Sequence, residues 1–166
     1  DKTAFEGKRI LDFGCGSGAS TAILGRMFPQ CRIVGLELNA PLLEIAQARA
    51  AHYKLPRVSF QRSVDPLSLP DSLGEFDFVL LSAVFEHLLP QERQTLFPKL
   101  WSLLKPGGVL FINQTPYRYF PVETHTTGLP LINYLPDRAA HRVAKRFSRR
   151  NLEIGRASGW GKFLMK

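Results

Sequence analysis

Hydrophobic and polar positions along the first 115 residues follow two patterns. Short apolar or alternating runs, typical of strands, predict β-strands at residues 9–14, 32–38, 57–62, 76–82 and 107–114. Between them, apolar residues recur three and four positions apart, which predicts helices at residues 18–28, 41–53 and 90–105. Pro98 is expected to kink or break the last helix. This alternation predicts an α/β fold, a doubly wound and mostly parallel sheet.

The pattern changes after residue 115. Residues 116–136 are rich in Pro, Thr and aromatic side chains, and residues 137–150 predict a basic amphipathic helix. We therefore expect a core at residues 1–115, and a further segment of the same domain at residues 116–166.

Composition and charge narrow the class of protein. The chain has 166 residues, 45% of them hydrophobic, and no apolar run near the roughly 18 residues of a membrane span. No targeting leader is visible, and two cysteines are too few for a disulfide framework, so a cytoplasmic protein is expected. Of a net charge of +8, residues 137–166 carry +7, from nine Lys or Arg against two acids. The basic character therefore belongs to the C-terminal segment.

A glycine-rich turn follows the first predicted strand. Residues 14–19 read Gly-Cys-Gly-Ser-Gly-Ala, which fits the dinucleotide pattern Gly14-x-Gly16-x-x-Ala19. The same residues also give Gly-x-Gly-x-Gly preceded by Asp12. The glycines alone therefore do not identify the cofactor, and a turn with a purely structural role remains an alternative. Glu37 ends the second predicted strand, where a carboxylate can accept hydrogen bonds from ribose hydroxyls. A nucleoside cofactor is therefore expected.

Four motifs carry a resemblance to a known family. "LDFGCGSG" (11–18), "GLEL" (35–38), "FDFVLLSAVFEHL" (76–88) and "LWSLLKPGGVLFI" (100–112) occur in this order. Together they resemble the class I S-adenosylmethionine-dependent methyltransferases, in particular small-molecule O-methyltransferases related to the ubiquinone-pathway enzymes. The resemblance implies a Rossmann-like sheet and S-adenosylmethionine as cofactor. Complete members add two strands after the fifth, and residues 151–166 can supply at most one, so the C-terminal strands are expected to be missing or divergent.

The resemblance also implies ten cofactor-binding residues. These are Asp12, Gly14, Cys15, Gly16, Gly18, Glu37, Leu38, Val64, Asp65 and Ser82. Asp12 would orient the methionine ammonium group, Glu37 would bind the ribose hydroxyls and Leu38 would pack against the adenine. Relatives place an Asp after the third strand, near the adenine amino group. Counting puts Val64 at that position, with Asp65 one residue later.

Few side chains are needed for the chemistry that the resemblance implies. Ser82 would contact the methionine end of the cofactor through its backbone. His87 and His125 are the candidate catalytic bases. Some relatives bind a divalent metal through Glu-x-x-Glu-His, but Ala83 stands here in place of the first Glu. No metal is therefore predicted. Glu86, His87 and His125 are the residues that would be tested as metal ligands.

The predicted acceptor is a small or lipid-like molecule, methylated at oxygen. The aromatic and leucine side chains of residues 116–136 resemble a substrate-side insertion of the small-molecule enzymes. The alternatives are an RNA methyltransferase, which the basic segment would suit, and a cofactor-binding module without activity. Residues 137–150 are expected to contact an anionic membrane surface peripherally, and nucleic acid is the less favoured partner. An ordinary surface helix is the alternative there.

Overall fold

A computed structural model describes residues 2–65, 67–113, 120–123 and 127–148. The chain divides into two compact units. The described residues within 1–85 and 90–113 form the core unit, and those within 86–89 and 114–166 form the second unit.

A five-stranded parallel sheet organises the core unit. Its strands are β1 (Arg9–Phe13), β2 (Arg32–Glu37), β3 (Val58–Arg62), β4 (Phe76–Ser82) and β5 (Leu104–Asn113). They lie in the order β3-β2-β1-β4-β5, with every neighbouring pair parallel. β1 therefore lies between β2 and β4, where the direction of winding reverses. This arrangement confirms the predicted doubly wound sheet, and ligands bind such sheets beyond the carboxyl ends of the strands at this reversal.

Helices flank this sheet. The described residues form α1 (Ala19–Met27), α2 (Ala40–His52), α3 (Pro90–Ser102) and, in the second unit, α4 (Asp137–Phe147). Four short 3₁₀ helices span Lys2–Phe5, Asp71–Leu73, Phe85–His87 and Ile132–Tyr134. Ile10 and Leu11, which point to opposite faces of β1, are both fully buried. Both faces of the sheet are therefore covered at its centre, as the continuous apolar run of β1 predicts.

Two predictions near β5 are wrong in detail. Of the kink or break predicted at Pro98, the break does not occur, since α3 continues through the proline; the fully buried Leu96 and Leu100 anchor the helix on both sides of it. The helix ends at Ser102, and β5 begins at Leu104 rather than at residue 107. The Pro-Gly-Gly segment is a bulge within β5, since the β4–β5 register shifts between Phe76 and Phe78.

The second unit has a small core of its own. Ile132, Ala140 and Ala144 are fully buried, and Leu129 and Leu135 pack against them. α4 thus packs its small residues on the segment that precedes it. Residues 149–166, which include the end of the predicted basic helix, lie outside the described residues. None of the helices that the structure describes combines the length and the apolar character needed to cross a bilayer.

Candidate cofactor site

The glycine turn begins directly after β1 and is held by β2. The amides of Gly14 and Cys15 donate to the Leu36 carbonyl oxygen at 2.8 and 3.1 Å. Gly14 has φ +70°, and a Cβ atom there would lie 2.6 Å from Cγ2 of Val84. Gly16 has φ +54°, but a Cβ there would have no neighbour within 4 Å. Space beside the Gly16 backbone is therefore open, as a close ligand approach requires.

Gly18 lies where the first two helices of the core unit meet. It is the N-cap of α1, with φ 70°. A Cβ at this position would lie 2.7 Å from the Ala46 Cβ of α2. The absent side chain therefore allows α1 and α2 to pack closely.

The Glu37 carboxylate joins the end of β2 to the glycine turn. Its Oε2 accepts a hydrogen bond from the Gly16 amide at 2.8 Å. Its Oε1 accepts from the amides of Leu38 and Asn39, each at 2.8 Å. Three backbone donors thus hold one carboxylate beside the open space at Gly16. Each oxygen has two lone pairs, so the side chain retains capacity for a further donor such as a ribose hydroxyl.

Asp12 is buried beneath the turn, with 1% of its surface exposed. Its Oδ2 accepts from the hydroxyls of Ser20 and Thr21 at 2.9 and 2.6 Å, which ties the first turn of α1 to β1. Burial raises the pKa of Asp12 above its ordinary value, against the opposing effect of these hydrogen bonds. A neighbouring ammonium group would stabilise the carboxylate, so the site suits the methionine end of the cofactor.

Cys15 and Leu38 differ sharply in exposure. Cys15 is buried, and this burial, with the charges of Asp12 and Glu37, raises the pKa of its thiol to about 12. A neutral thiol is a weak nucleophile, so the Cys15 side chain is not expected to react. Leu38 is 41% exposed immediately after Glu37, which leaves its side chain free to cover a flat apolar group such as adenine.

The segment after β3 is organised by Asp65. Its Oδ1 accepts from the amides of Leu67 and Ser68 at 2.8 Å each, and its Oδ2 accepts from the Ser68 hydroxyl. These donors, with the Ser68 hydroxyl first, hold the pKa of Asp65 below its usual range. The Val64 side chain is 82% exposed. Asp65 therefore shapes the loop in which both residues lie.

The end of β4 turns abruptly. Ser82 is the last residue of the strand, and the Ala83 amide donates to the Asn113 carbonyl oxygen of β5 at 3.1 Å. Ala83 has φ +56°, a conformation that costs an ordinary residue about 1–2 kcal/mol. Such outliers concentrate at functional sites. Val84 follows and lies against Gly14, so the ends of β1 and β4 meet.

Of the two candidate bases, the structure describes His87, which belongs to the second unit. His87 ends the 3₁₀ helix Phe85–His87, with its side chain 48% exposed and its Nε2 4.0 Å from Oε1 of Glu86. His125 lies outside the described residues. Among those that are described, no group of three or more His, Cys, Asp or Glu side chains could hold a metal ion.

Several residues that build the site did not stand out in the sequence. Ser20 and Thr21 satisfy Asp12, and their position in the first turn of a helix after an acid is the signal that could have identified them. Asn39 caps α2, with its Oδ1 accepting from the Leu42 amide at 3.2 Å. No feature of the sequence identifies Gly35 as part of the site. A Cβ there would lie 2.5 Å from the Phe60 ring.

The fold and the site together define a class of protein. A doubly wound parallel sheet bears a glycine turn after β1 and a carboxylate at the end of β2, which is the arrangement of a Rossmann-like domain for a nucleoside cofactor. The open backbone at Gly16, the buried acid Asp12 and the exposed Leu38 fit S-adenosylmethionine. The same features also suit a dinucleotide, so the geometry leaves the choice to the comparisons with known proteins.

Those comparisons identify the family. A model described as "Methyltransferase domain" matches residues 10–108, and the chain belongs to this family. It is 36% identical over 102 residues to the trans-aconitate 2-methyltransferase of Methylobacterium radiotolerans, an alignment that covers 61% of this chain and 36% of that protein. The family confirms the predicted class, a domain of the S-adenosylmethionine-dependent methyltransferases.

Solved structures agree with this assignment. PKMT2 from Rickettsia typhi superposes with a TM-score of 0.60 at 24% identity, over 65% of this chain and 21% of that one, which shows the fold. The structure titled "StiE O-MT residues 961-1257" superposes with a TM-score of 0.58 at 27% identity, over 68% of this chain and 38% of that one. The chain spans less than half the length of the curated relatives it matches.

Proposed function

We propose that the protein transfers the methyl group of S-adenosylmethionine to a small-molecule acceptor, at oxygen. The observation that carries the proposal is the Glu37 carboxylate, held by three backbone amides beside the open backbone of Gly16. The class of acceptor is supported by similarity to trans-aconitate 2-methyltransferases and to a structure whose title names an O-MT. Two buried free thiols suit the reduced cytoplasm.

In this proposal each cofactor residue acts through a contact that its position allows. Glu37 binds the ribose through the one lone pair that its three backbone donors leave, and the exposed Leu38 side chain covers the adenine. Asp12 faces the ammonium of the methionine portion, and the backbone of Ser82 contacts the same end. The loop at Val64 and Asp65 borders the adenine edge, chiefly through its backbone, because the Asp65 carboxylate serves the loop's own amides.

The protein's own contribution to the chemistry is alignment. S-adenosylmethionine, when bound, supplies a methyl group already activated by its positively charged sulfur. Holding the acceptor oxygen in line with that methyl accounts for most of the acceleration that the protein must provide. A base is needed only when the acceptor hydroxyl has to lose a proton. The half-exposed His87 is the described candidate for that task, and His125 is the second.

α4 is proposed as a peripheral contact with an anionic membrane surface. Its small residues Ala140 and Ala144 are fully buried in the second unit's core, whereas Phe147 at its end is exposed. Its basic side chains are exposed, namely Arg138, Arg142, Lys145 and Arg146. The attraction is therefore mainly electrostatic. Each basic residue near such a surface contributes about 1 kcal/mol.

The function is tested by supplying labelled S-adenosylmethionine with three classes of acceptor. Hydroxyl-bearing small molecules, amine-bearing small molecules and RNA are compared in one assay that detects methylated products by mass. Methylation of a hydroxyl is the expected result. Methylation of RNA alone would favour the RNA methyltransferase. Binding of S-adenosylhomocysteine with no transfer to any acceptor would favour a module without activity.

A further inference from the structure

Three neighbouring strands of the core unit begin with an arginine. The sequence reads Arg-Ile-Leu at the start of β1, Arg-Ile-Val at the start of β2 and Arg-Val-Ser at the start of β3. Arg9 and Arg32 are the first residues of their strands, and Arg57 immediately precedes the first residue of β3. Because these strands are adjacent and parallel, all three arginines lie at the amino-terminal edge of the sheet.

The strand register brings the three arginines into one line across the sheet. Arg9 is opposite Arg32. Ile33 is opposite Val58, so the residues that precede them, Arg32 and Arg57, are also opposite each other. Neighbouring strands are about 4.8 Å apart, and residues paired in this way project to the same face of the sheet. Arg9, Arg32 and Arg57 are therefore called the arginine row.

The arginine row lines a single cavity of about 400 Å³. This volume lies within the range of about 300–1,000 Å³ that is typical of ligand pockets. The rest of the lining is formed by Ile33, Val34, Pro56 and Ser59. Ser59 is exposed, and its hydroxyl is a further hydrogen-bond donor. Among the described residues that line the cavity none is acidic, so its charge is positive throughout.

The described residues leave this positive charge largely uncompensated. A guanidinium stays ionised at every pH near neutrality. Within the described part of the chain, the exposed Arg32 and Arg57 form no ion pair. The Asp77 carboxylate, at the same edge of the sheet, is already paired with Lys8 and Lys105 at 3.4 and 2.8 Å. Like charges on facing residues of neighbouring strands are destabilising, so an anion bound by the arginine row would stabilise this edge.

Arg9 is positioned by its own contacts before any ligand binds. Its Nη2 donates to the Leu73 carbonyl oxygen at 2.8 Å, and its guanidinium carbon lies 4.9 Å from the centre of the Phe76 ring. Leu73 and Phe76 are both buried. A guanidinium has five N–H donors, so Arg9 retains donors for a ligand. Less conformational entropy is therefore lost when Arg9 binds an anion.

We propose that the arginine row binds the phosphate or diphosphate group of a small molecule. A guanidinium pairs with phosphate oxygens through two parallel N–H···O hydrogen bonds. The oxygens of a phosphate point to the corners of a tetrahedron, so they accept from arginines that approach from three different strands. A carboxylate has two oxygens in one plane and suits a single guanidinium better. The concave cavity favours a small ligand over a long nucleic-acid strand.

This anion site is separate from the cofactor site. The glycine turn and Glu37 lie at the carboxyl ends of β1 and β2, whereas the arginine row lies at the amino ends of the same strands. β2 has six residues, and at about 3.3 Å per residue its two ends are about 17 Å apart. A small anion at the arginine row therefore does not touch the cofactor, and the inference does not depend on the proposed function.

Calorimetric titration of the full chain with inorganic phosphate and with pyrophosphate tests the proposal, at an ionic strength of about 0.15 M. Arg32→Gln and Arg57→Gln each remove one cation of the row and keep a polar side chain. Arg26→Gln is the matched control, because it changes the net charge equally at an exposed position of α1 that does not line the cavity. Citrate and a short single-stranded RNA are titrated in parallel. The Tm and the Kd for S-adenosylhomocysteine are measured for each protein.

The wild type is expected to bind one pyrophosphate per chain, with a rise in Tm because only the folded chain assembles the row. In Arg32→Gln and in Arg57→Gln, the Kd for pyrophosphate should rise by about tenfold or more, since a charge-assisted contact is lost. Arg26→Gln should leave that Kd within about twofold, because a distant exposed charge is screened. Saturating pyrophosphate should leave the Kd for S-adenosylhomocysteine unchanged.

Five results would overturn the inference. Absence of binding of both phosphate and pyrophosphate would show that the arginine row is an ordinary solvated surface. An equal loss of affinity in Arg26→Gln would show that binding follows net charge alone. Competition between pyrophosphate and S-adenosylhomocysteine would place the anion in the cofactor site. Tighter binding of citrate than of pyrophosphate would assign the row to carboxylates, and binding of RNA without binding of pyrophosphate would assign it to a nucleic-acid backbone.

Discussion

Replacing Glu37 by alanine tests the cofactor site at a side chain whose hydrogen bonds the structure defines in detail. The carboxylate accepts three backbone hydrogen bonds, from Gly16, Leu38 and Asn39, each at 2.8 Å. In the proposed complex its remaining lone pair also accepts from a ribose hydroxyl. Charge-assisted bonds of that kind contribute about 1.5–3 kcal/mol. We therefore expect Glu37→Ala to raise the Kd for S-adenosylhomocysteine by about 10- to 150-fold.

Stability should change far less than binding. The amides of Leu38 and Asn39 form their bonds to Glu37 at an exposed site and regain water when the carboxylate is removed. The Gly16 amide is part-buried, so its lost bond costs about 1 kcal/mol, which lowers the Tm by about 2–4 °C in a domain of this size. Isothermal titration calorimetry and thermal unfolding measure the two effects, with the exposed Glu44→Ala as control. A folded Glu37→Ala protein whose Kd is unchanged would refute the ribose assignment.

Three further predictions concern charge. Affinity for S-adenosylhomocysteine should fall as the pH is lowered through the raised pKa of Asp12, because only the ionised carboxylate attracts the ammonium. The Asp12→Asn variant should bind S-adenosylhomocysteine weakly, with little dependence of the affinity on pH. The same change of affinity with pH in the variant and in the wild type would contradict this prediction. Cys15, whose thiol pKa is about 12, should resist iodoacetamide at about pH 8 until urea unfolds the protein, and rapid native alkylation would disprove its burial. Charge reversal at Arg142 and Lys145 should abolish co-sedimentation with anionic vesicles, whereas equal binding to neutral vesicles would exclude an electrostatic contact.

The sequence predicted correctly those parts of the fold that depend on local patterns of residues. β1, β2 and β4 are continuous apolar runs, and the glycine turn follows β1 as expected. α3 does not break at Pro98 because burial of Leu96 and Leu100, a tertiary effect, offsets the local penalty of a proline within a helix. The bulge in β5 depends on its register with β4, which the sequence of β5 alone does not contain.

The sequence predicted where the residues of the site lie better than it predicted which groups they contact. Glu37 and Asp12 lie where the motifs placed them, yet the motifs do not show that Glu37 binds the Gly16 amide or that Asp12 binds two hydroxyls of α1. The packing of Gly18 on Ala46 becomes visible only when α1 and α2 are assembled.

The central claim is that the glycine turn and Glu37 bind S-adenosylmethionine rather than a dinucleotide. Calorimetric titration of the protein with S-adenosylhomocysteine, and separately with NAD, tests this claim most directly. We predict saturable binding of S-adenosylhomocysteine at one site per chain and no heat of binding with NAD. Tight binding of NAD with no response to S-adenosylhomocysteine would contradict the account.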